Sequence, residues 1–112
     1  MLPSTRRDPT LTTMNGKPVT VIARVKAKSG REAEVLRELL SLVAPSRKDP
    51  GCINYDLHRS QADAACFLFH ENWESREHLE RHLGKPDLQA TIGRLGQLVA
   101  EPPEISIWDK IA

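Results

Sequence analysis

The sequence predicts a single α+β domain with the ferredoxin-like order β-α-β-β-α-β, a four-stranded antiparallel sheet with its helices on one face. Three observations support this fold class. Four segments alternate apolar and polar residues as half-buried strands do, and the regions between them place apolar residues at helical spacing. The two middle strands are separated only by a short polar turn. A chain of 112 residues is long enough for one such domain and too short for two ordinary ones.

The first strand is predicted over residues 19–28, where Val19, Val21, Ala23 and Val25 alternate with more polar neighbours. The residues before it, 1–18, form a polar N-terminal arm without the apolar stretch of a secretory signal. We therefore expect an arm over 1–18, a domain over 19–112 and a cytoplasmic location.

A helix is predicted to follow the break at Ser29-Gly30. Glu32 lies three residues after Ser29, which is the spacing of a capping box. We expect the helix to end at Pro45. The apolar positions at helical spacing are Ala33, Leu36, Leu39, Leu40 and Val43.

The second and third strands, residues 52–59 and 65–73, are predicted to form a hairpin. If Ser60 and Ala65 flank the turn, facing residues have numbers that sum to about 125. This register places His58 opposite Phe67 and Asp56 opposite Phe69. It also separates Cys52 from Cys66 along the hairpin by more than a disulfide can span, so both are predicted to be free thiols.

The second half of the chain repeats the helix-then-strand order. Ser75 is predicted to cap a helix with Glu77 and Glu80 near its start, which Gly84-Lys85-Pro86 then interrupts. A further helical stretch carries Leu88, Ile92, Leu95 and Val99 on one face. The last strand is predicted over residues 104–111, after Pro102-Pro103.

The sheet face away from the helices is predicted to carry apolar residues among polar ones. Ile22, Leu68 and Trp108 share it with polar and histidine side chains such as His58 and His70. Apolar residues on an otherwise open face indicate a partner, and a second copy of the chain is the commonest one. We therefore predict a homodimer in which two sheets pack face to face.

The composition excludes several classes of partner. Hydrophobic residues make up 39% and charged residues 28%, as in a globular domain, and the net charge is +1. A nearly neutral chain has no bulk electrostatic attraction for nucleic acid or an anionic membrane. No apolar run approaches the length of roughly 18 residues that spans a bilayer.

The candidate site lies in the stretch from Phe67 to Pro86, where a strand ends at Trp73 and a helix follows at once. Trp73 shares a strand face with Glu71, and a carboxylate on an apolar face requires a partner or a cavity. An aromatic side chain near histidines on the next helix can line a small ligand pocket. The alternative is that Trp73 is an ordinary core residue and that Glu71 forms a structural ion pair.

His78 and His82 lie four residues apart on the predicted helix and could both reach one metal ion. The segment between them lacks the HExxH order, and a metal site requires further ligands. We expect no metal, a solvated His78, and a His82 at the edge of a pocket.

Three segments together resemble the antibiotic biosynthesis monooxygenase family, and most closely its small quinol monooxygenases. They are PGCINYDLHR from Pro50, FLFHENWES from Phe67, and HLERHL from His78 followed by Pro86. The resemblance spans about Val19 to Ile111. It implies a ferredoxin-fold homodimer, a dimeric α+β barrel, as the open sheet face predicts independently.

The resemblance also implies a reaction. Some members oxidise polycyclic phenols or quinols with molecular oxygen and no metal or bound flavin, so no cofactor is implied here. An electron-rich phenolate can donate an electron to oxygen if the protein binds the flat ring, favours its deprotonated form and excludes water. The implied catalytic residues are Trp73, His82 and Glu71. The implied substrate-binding residues are Tyr55, Phe67, Phe69 and Ala23.

The sequence differs from that of relatives at two kinds of position, and these differences limit the reactions that we expect. Ala23 lies near the position of an asparagine in the haem-degrading branch, and Ile92 lies near that of its histidine, so haem degradation is not expected. Asp87 follows Pro86 where many relatives have histidine, which removes one acid/base group. The alternatives are a non-catalytic ligand-binding or stress-associated protein and an isomerase on the same scaffold.

Overall fold

The computed structural model describes residues 17–112 and has the predicted architecture. Four strands alternate with helices along the chain: β1 (Val19–Lys26), α1 (Glu32–Leu40), α2 (Val43–Arg47), β2 (Cys52–Arg59), β3 (Cys66–Trp73), α3 (Arg76–Leu83), α4 (Pro86–Leu95) and β4 (Glu104–Asp109). The strands form one antiparallel sheet in the order β2-β3-β1-β4. The ferredoxin-like fold is therefore confirmed. The predicted arm, except Lys17 and Pro18, lies outside the described residues.

The core lies between the helices and one face of the sheet. Val19, Val21, Ala23 and Val25 are buried in alternation along β1, as their spacing predicts. They pair with the buried residues of β3, where every second side chain from Phe67 to Trp73 points inward. No helix of residues 17–112 is long and apolar enough to cross a membrane.

The first helical region differs from its prediction in two respects. The N-cap of α1 is Arg31, which makes no side-chain capping hydrogen bond, so the predicted capping box at Ser29 is wrong. Arg31 pairs instead with Glu34 in the first turn. Pro45 does not end the helical region but lies inside α2, near its first turn, where the missing N–H is tolerated.

The β2–β3 register differs from its prediction by one residue over most of the hairpin. Cys52 faces Trp73 as predicted, but His58 faces Leu68 and Asp56 faces His70. The cause is a β-bulge between Cys52 and Asn54, which leaves Ile53 56% exposed. The predicted pairing of His58 with Phe67 is wrong because it would join residues of opposite sheet faces.

The second helical region follows its prediction more closely. Ser75 caps α3 by accepting a hydrogen bond from the backbone N–H of His78 at 3.2 Å. Pro86 then starts α4, which buries Leu88, Thr91 and Leu95, whereas Ile92 is 38% exposed. All six residues of β4, the edge strand beside β1, are exposed.

Candidate functional site

A small cavity lies between the sheet and the helices, on the buried face of β1, β2 and β3. Its volume is about 70 Å³, enough for a few water molecules. The lining is mostly apolar and includes only two side chains that exchange protons near neutral pH, Glu71 and His82. The other lining residues are Ala23, Val25, Leu39, Leu42, Tyr55, Phe69, Leu83, Leu88, Ile92, Leu95, Pro103 and Ile105.

Trp73 and Glu71 form a buried pair on β3. They are two residues apart, so both side chains lie on the core face of the strand. The indole Nε1–H of Trp73 donates a hydrogen bond of 3.0 Å to Glu71 Oε1. Burial raises the pKa of Glu71 to about 7, and the hydrogen bond from Trp73 opposes part of that rise. Glu71 is thus poised to exchange a proton near neutral pH.

His82 lies on α3 above this pair. Its ring packs on the indole of Trp73 with a centroid distance of 4.5 Å and an interplanar angle of 33°. The ring of Tyr55 lies edge-on to the imidazole, with 5.5 Å between the two ring centroids. The side chain is 3% exposed, and burial lowers the pKa of His82, so that the imidazole is neutral at pH 7.

Asp49, in the loop before β2, holds the other side of His82. Its Oδ2 lies 2.9 Å from Nδ1 of the imidazole, and its Oδ1 forms an ion pair with Lys85. Burial alone would raise the pKa of Asp49, but the hydrogen bonds from Lys85 and His82 outweigh it and hold that pKa below its usual value. Asp49 is therefore a carboxylate at neutral pH.

Sequence reasoning missed Asp49 because it lies shortly after Pro45, where the sequence indicated only that a helix ends. Asp49 and His82 are separated by 33 residues, and no local spacing connects them. The available signal was Gly51, two residues later, whose φ of +81° marks a tight turn. That turn lets the backbone C=O of Gly51 accept a hydrogen bond of 2.8 Å from Glu74 N–H, which ties the loop to the start of α3.

The predicted aromatic residues divide into two groups. Tyr55 and Phe69 lie together at the cavity, with ring centroids 4.8 Å apart, and Ala23 lies beside them. Burial raises the pKa of the Tyr55 phenol well above its usual value, so it stays protonated. Phe67 lies nearer the hairpin turn, opposite Arg59, whose guanidinium sits 5.2 Å from the ring centroid, and it does not line the cavity.

Trp73 is brought to the site without lining the cavity. It is fully buried behind Glu71 and His82, so it holds both side chains rather than facing the open space. Trp73 is therefore a core residue that also contacts both ionisable side chains of the cavity.

The two histidines of α3 have different partners. The Nδ1 atom of His78 lies 2.7 Å from the Oγ of Ser75, and its ring packs over Gly51, whereas His82 bonds to Asp49. Within residues 17–112 there is no group of three His, Cys, Asp or Glu side chains that could hold a metal ion.

The site thus combines an apolar cavity with two buried groups whose pKa values burial shifts in opposite directions. Burial raises the pKa of Glu71 to about 7 and lowers that of His82, so Glu71 exchanges a proton near neutral pH while His82 is a neutral imidazole that can accept one. Such pairs are typical of general acid–base chemistry on a bound organic molecule.

The sequence is similar to a known protein family and to several individual proteins. The family model described as antibiotic biosynthesis monooxygenase matches residues 18–94, more than half of the chain. The chain is 30% identical over 90 residues to "Putative monooxygenase Rv0793" of Mycobacterium tuberculosis, a match that covers 80% of this chain and 88% of that protein. It is 33% identical over 95 residues to "Uncharacterized protein sll1783" of Synechocystis sp.. That match covers 85% of this chain but only 64% of the length of the Synechocystis protein.

Two solved structures have the same fold. Protein PA3566 of Pseudomonas aeruginosa is 33% identical, with a TM-score of 0.80, and the match covers 86% of this chain and 96% of that one. The structure of Rv0793 from Mycobacterium tuberculosis has a TM-score of 0.82 at 26% identity, covering 86% and 97% of the two chains.

Proposed function

Because the chain belongs to the antibiotic biosynthesis monooxygenase family, we propose that it is a cofactor-independent monooxygenase that oxidises a quinol-like or polyketide-like aromatic with O₂. One observation carries the proposal. Glu71 and His82, two buried groups poised for proton transfer, face the same apolar cavity beside the aromatic rings of Tyr55 and Phe69.

The proposed chemistry needs little from the protein besides proton transfer and shape. Without a cofactor, the substrate itself supplies the four electrons that reduce O₂, so one oxygen atom enters the product and the other leaves as water. The first step is removal of the phenolic proton, because the phenolate is the better electron donor. A site that accepts this proton and excludes water therefore accelerates the reaction.

The proposed roles follow from the positions of the side chains. Tyr55 and Phe69 contact the flat substrate, and the small side chain of Ala23 leaves room beside them. His82, neutral at pH 7, accepts the phenolic proton, and Glu71 is the second acid/base group. Trp73 holds both by its hydrogen bond to Glu71 and its stacking on His82.

The size of the cavity adds a requirement. At about 70 Å³ it is smaller than a cavity of roughly 150 Å³ that holds benzene, so an aromatic ring enters only if the site widens. Its lining includes the exposed residues Ile92 and Ile105, which are 38% and 53% exposed. We propose that the substrate enters at this edge, where α4 and β4 can separate with little loss of packing.

The same small volume favours a second candidate function. A domain that holds only a small ligand, and performs no chemistry, needs no larger cavity than the one observed. The two candidates differ in whether oxygen is consumed.

We further propose that the protein acts as a homodimer through the open sheet face. Ile22, Leu68 and Trp108 lie on that face, and Trp108 is 58% exposed. Between them runs a polar ladder in which Thr20 donates to Asn72 at 2.5 Å and Asn72 donates to Asn54 at 2.7 Å. Apolar residues around satisfied polar ones are typical of a protein interface.

The enzyme proposal is tested by measuring oxygen uptake with a panel of reduced quinones for the wild type, Trp73→Ala and His82→Ala. We expect uptake by the wild type and a loss of about 100-fold or more in His82→Ala, because general-base catalysis contributes 10²–10⁴-fold. Trp73→Ala should also lose activity, since both acid/base side chains lose their support.

Glu77→Ala is the control, because Glu77 is exposed on the same helix and does not line the cavity. It should retain activity. Absence of uptake on every quinol would favour the ligand-binding alternative. Uptake that is unchanged in His82→Ala would contradict the assigned site while leaving the activity itself intact.

A further inference from the structure

His82 separates two different spaces in the protein. On one side is the apolar cavity that contains Glu71. On the other is a hollow of about 260 Å³ between the first and second pairs of helices, lined by polar side chains that include Ser46, Asp49, Lys85 and Thr91. Asp49 borders the hollow but not the cavity, so the carboxylate contacts His82 from the outer side.

This contact restricts the imidazole. Asp49 is a carboxylate and can only accept, so Nδ1 carries the proton in the 2.9 Å hydrogen bond between them. A neutral ring protonated at Nδ1 has its lone pair at Nε2, on the ring edge away from Asp49. Within residues 17–112 no hydrogen bond reaches Nε2, although the side chain is only 3% exposed.

We propose that Asp49 is a positioning residue that fixes His82 in the Nδ1–H form and presents the Nε2 lone pair to the substrate. The inference rests on the proposed function, since it assigns the proton acceptor of that same site. In the proton-transfer step the substrate O–H bond breaks, its electron pair stays on oxygen, and the proton forms a bond to Nε2. The resulting imidazolium keeps its Nδ1–H bond to the Asp49 carboxylate, which stabilises the positive charge.

Several charged or titratable groups surround the ring and determine its response to pH. Burial lowers the pKa of His82 and outweighs Asp49, which raises it, while the nearby charge of Lys85 lowers it further. The ionisable groups that face His82 or line a space that it borders are Asp49 from the loop before β2, Tyr55 from β2, Glu71 from β3, His78 and Arg81 from α3, Lys85 after α3, and Asp87 and Arg94 from α4. Among residues 17–112, the ring of His82 is hydrogen-bonded to Asp49 alone.

The first test reads the histidine directly, without any substrate. Long-range ¹H–¹⁵N NMR spectra of the uniformly ¹⁵N-labelled protein distinguish the two neutral forms of each of the four histidines. We expect wild-type His82, assigned by its loss in His82→Ala, to be protonated at Nδ1 when neutral. A neutral His82 protonated at Nε2 would overturn the proposal.

Two substitutions then make opposite predictions. In Asp49→Asn the pKa of His82 should fall and the exclusive Nδ1–H form should be lost, because the new amide can donate as well as accept. In Lys85→Gln the pKa of His82 should rise and the Nδ1–H form should persist. Both variants lose the Asp49–Lys85 ion pair, so a merely structural effect of that pair would move both in the same direction.

The second test uses the pH profile of oxygen uptake. If His82 is the base, the acidic limb of kcat/KM should move to lower pH in Asp49→Asn and to higher pH in Lys85→Gln. In Asp49→Asn kcat should fall by about 100-fold, since a misplaced catalytic group has an effect of that size. If the wild type is active but the acidic limb has the same position in the wild type and both variants, the proposal is overturned and Glu71 is the base.

The two readouts separate the failure of this inference from failure of the proposed function. If the wild type consumes no oxygen but His82 has the Nδ1–H form and responds in opposite directions to the two substitutions, the positioning role stands and the reaction is wrong. If oxygen is consumed but the histidine does not respond, the reaction stands and the positioning role is wrong.

Discussion

At the scale of single residues, Glu71 is the feature of the site with the clearest thermodynamic consequence. It is 5% exposed, and among the described residues its carboxyl receives one hydrogen bond, from Trp73, and no ion pair. Burying a charge without a cationic partner is costly, so the folded protein favours the neutral carboxylic acid. Above neutral pH the buried carboxyl loses its proton, so the folded protein becomes less stable.

We therefore predict that Glu71→Gln removes part of the pH dependence of stability. The folded-state pKa of about 7 lies above the ordinary value of 4.5, so the contribution of Glu71 is fully present below pH 4.5 and is lost as the pH rises through 7. The rise in pKa corresponds to about 3 kcal/mol. Urea denaturation at pH 5 and pH 8 should show the wild type losing more stability than Glu71→Gln over this interval, by up to that amount.

Glu74→Gln provides the matched control, since it makes the same chemical change at an exposed position three residues away. The stability of Glu74→Gln should change between pH 5 and pH 8 by the same amount as that of the wild type. Equal slopes in the wild type and Glu71→Gln would show that the buried carboxyl ionises in the folded state as it does in water.

The residues of the site could be predicted from sequence only as far as local patterns reach. Strand alternation placed Glu71 and Trp73 on one face, and helical spacing placed His82 on the facing helix. Asp49 could not be found in this way, because its role depends on how a loop 33 residues away folds back onto α3. Phe67 satisfied the same alternation as Phe69, but its place along the strand puts it beyond the cavity.

At the scale of elements, the loop before β2 and the start of α3 act as one unit. Gly51 has a φ of +81°, and a Cβ atom there would lie 2.2 Å from the His78 ring. The loop carries Asp49 and the helix carries His82, so the fit between loop and helix sets the geometry of the Asp49–His82 hydrogen bond.

We predict that Gly51→Ala destabilises the protein more than Gly30→Ala. Both glycines have positive φ, at +81° and +84°, and a non-glycine residue there costs of the order of 1–3 kcal/mol. At Gly30 an added methyl group would meet open space, so Gly30→Ala reports only the cost of the positive φ for a residue with a side chain. Gly51→Ala also displaces His78, and thermal or urea unfolding should show the additional loss.

Combining Gly51→Ala with His78→Ala isolates the steric part. The double variant should recover part of the stability lost by Gly51→Ala, because the ring that meets the methyl group is gone, although the Cβ atom of residue 78 remains 2.6 Å from it. Strictly additive losses would show that the ring moves aside without cost.

The hairpin illustrates why an element can be predicted while its register is not. Alternation correctly predicted both strands, but one extra residue at the Ile53 bulge shifted the pairing of Asn54 to Arg59. Nothing in the local sequence marks the bulge. Residues that face each other on paired strands lie on the same side of the sheet. The predicted register breaks this rule, since it pairs the outward His58 with the inward Phe67.

At the scale of the whole molecule, the described fold leaves its sheet covered on one face only. The helices cover the core face, and the opposite face presents Ile22, Leu68 and Trp108 around the Thr20–Asn72–Asn54 ladder. The sequence predicted the apolar residues on this face because a two-residue period determines which side chains point outward. A second sheet placed there would bury them, including the exposed Trp108 of β4.

We predict that the protein is a dimer in solution and that Trp108→Glu dissociates it. Trp108 is 58% exposed on the open face, so the substitution should be tolerated within one chain, whereas burying its charge in a sheet-to-sheet contact is costly. Leu40→Glu is the matched control, because Leu40 is 54% exposed on the helical side. Light scattering at micromolar concentration should give twice the 12.6 kDa chain mass for the wild type and Leu40→Glu, and one chain mass for Trp108→Glu. A monomeric wild type, or a Trp108→Glu variant that remains dimeric, would refute the face-to-face arrangement.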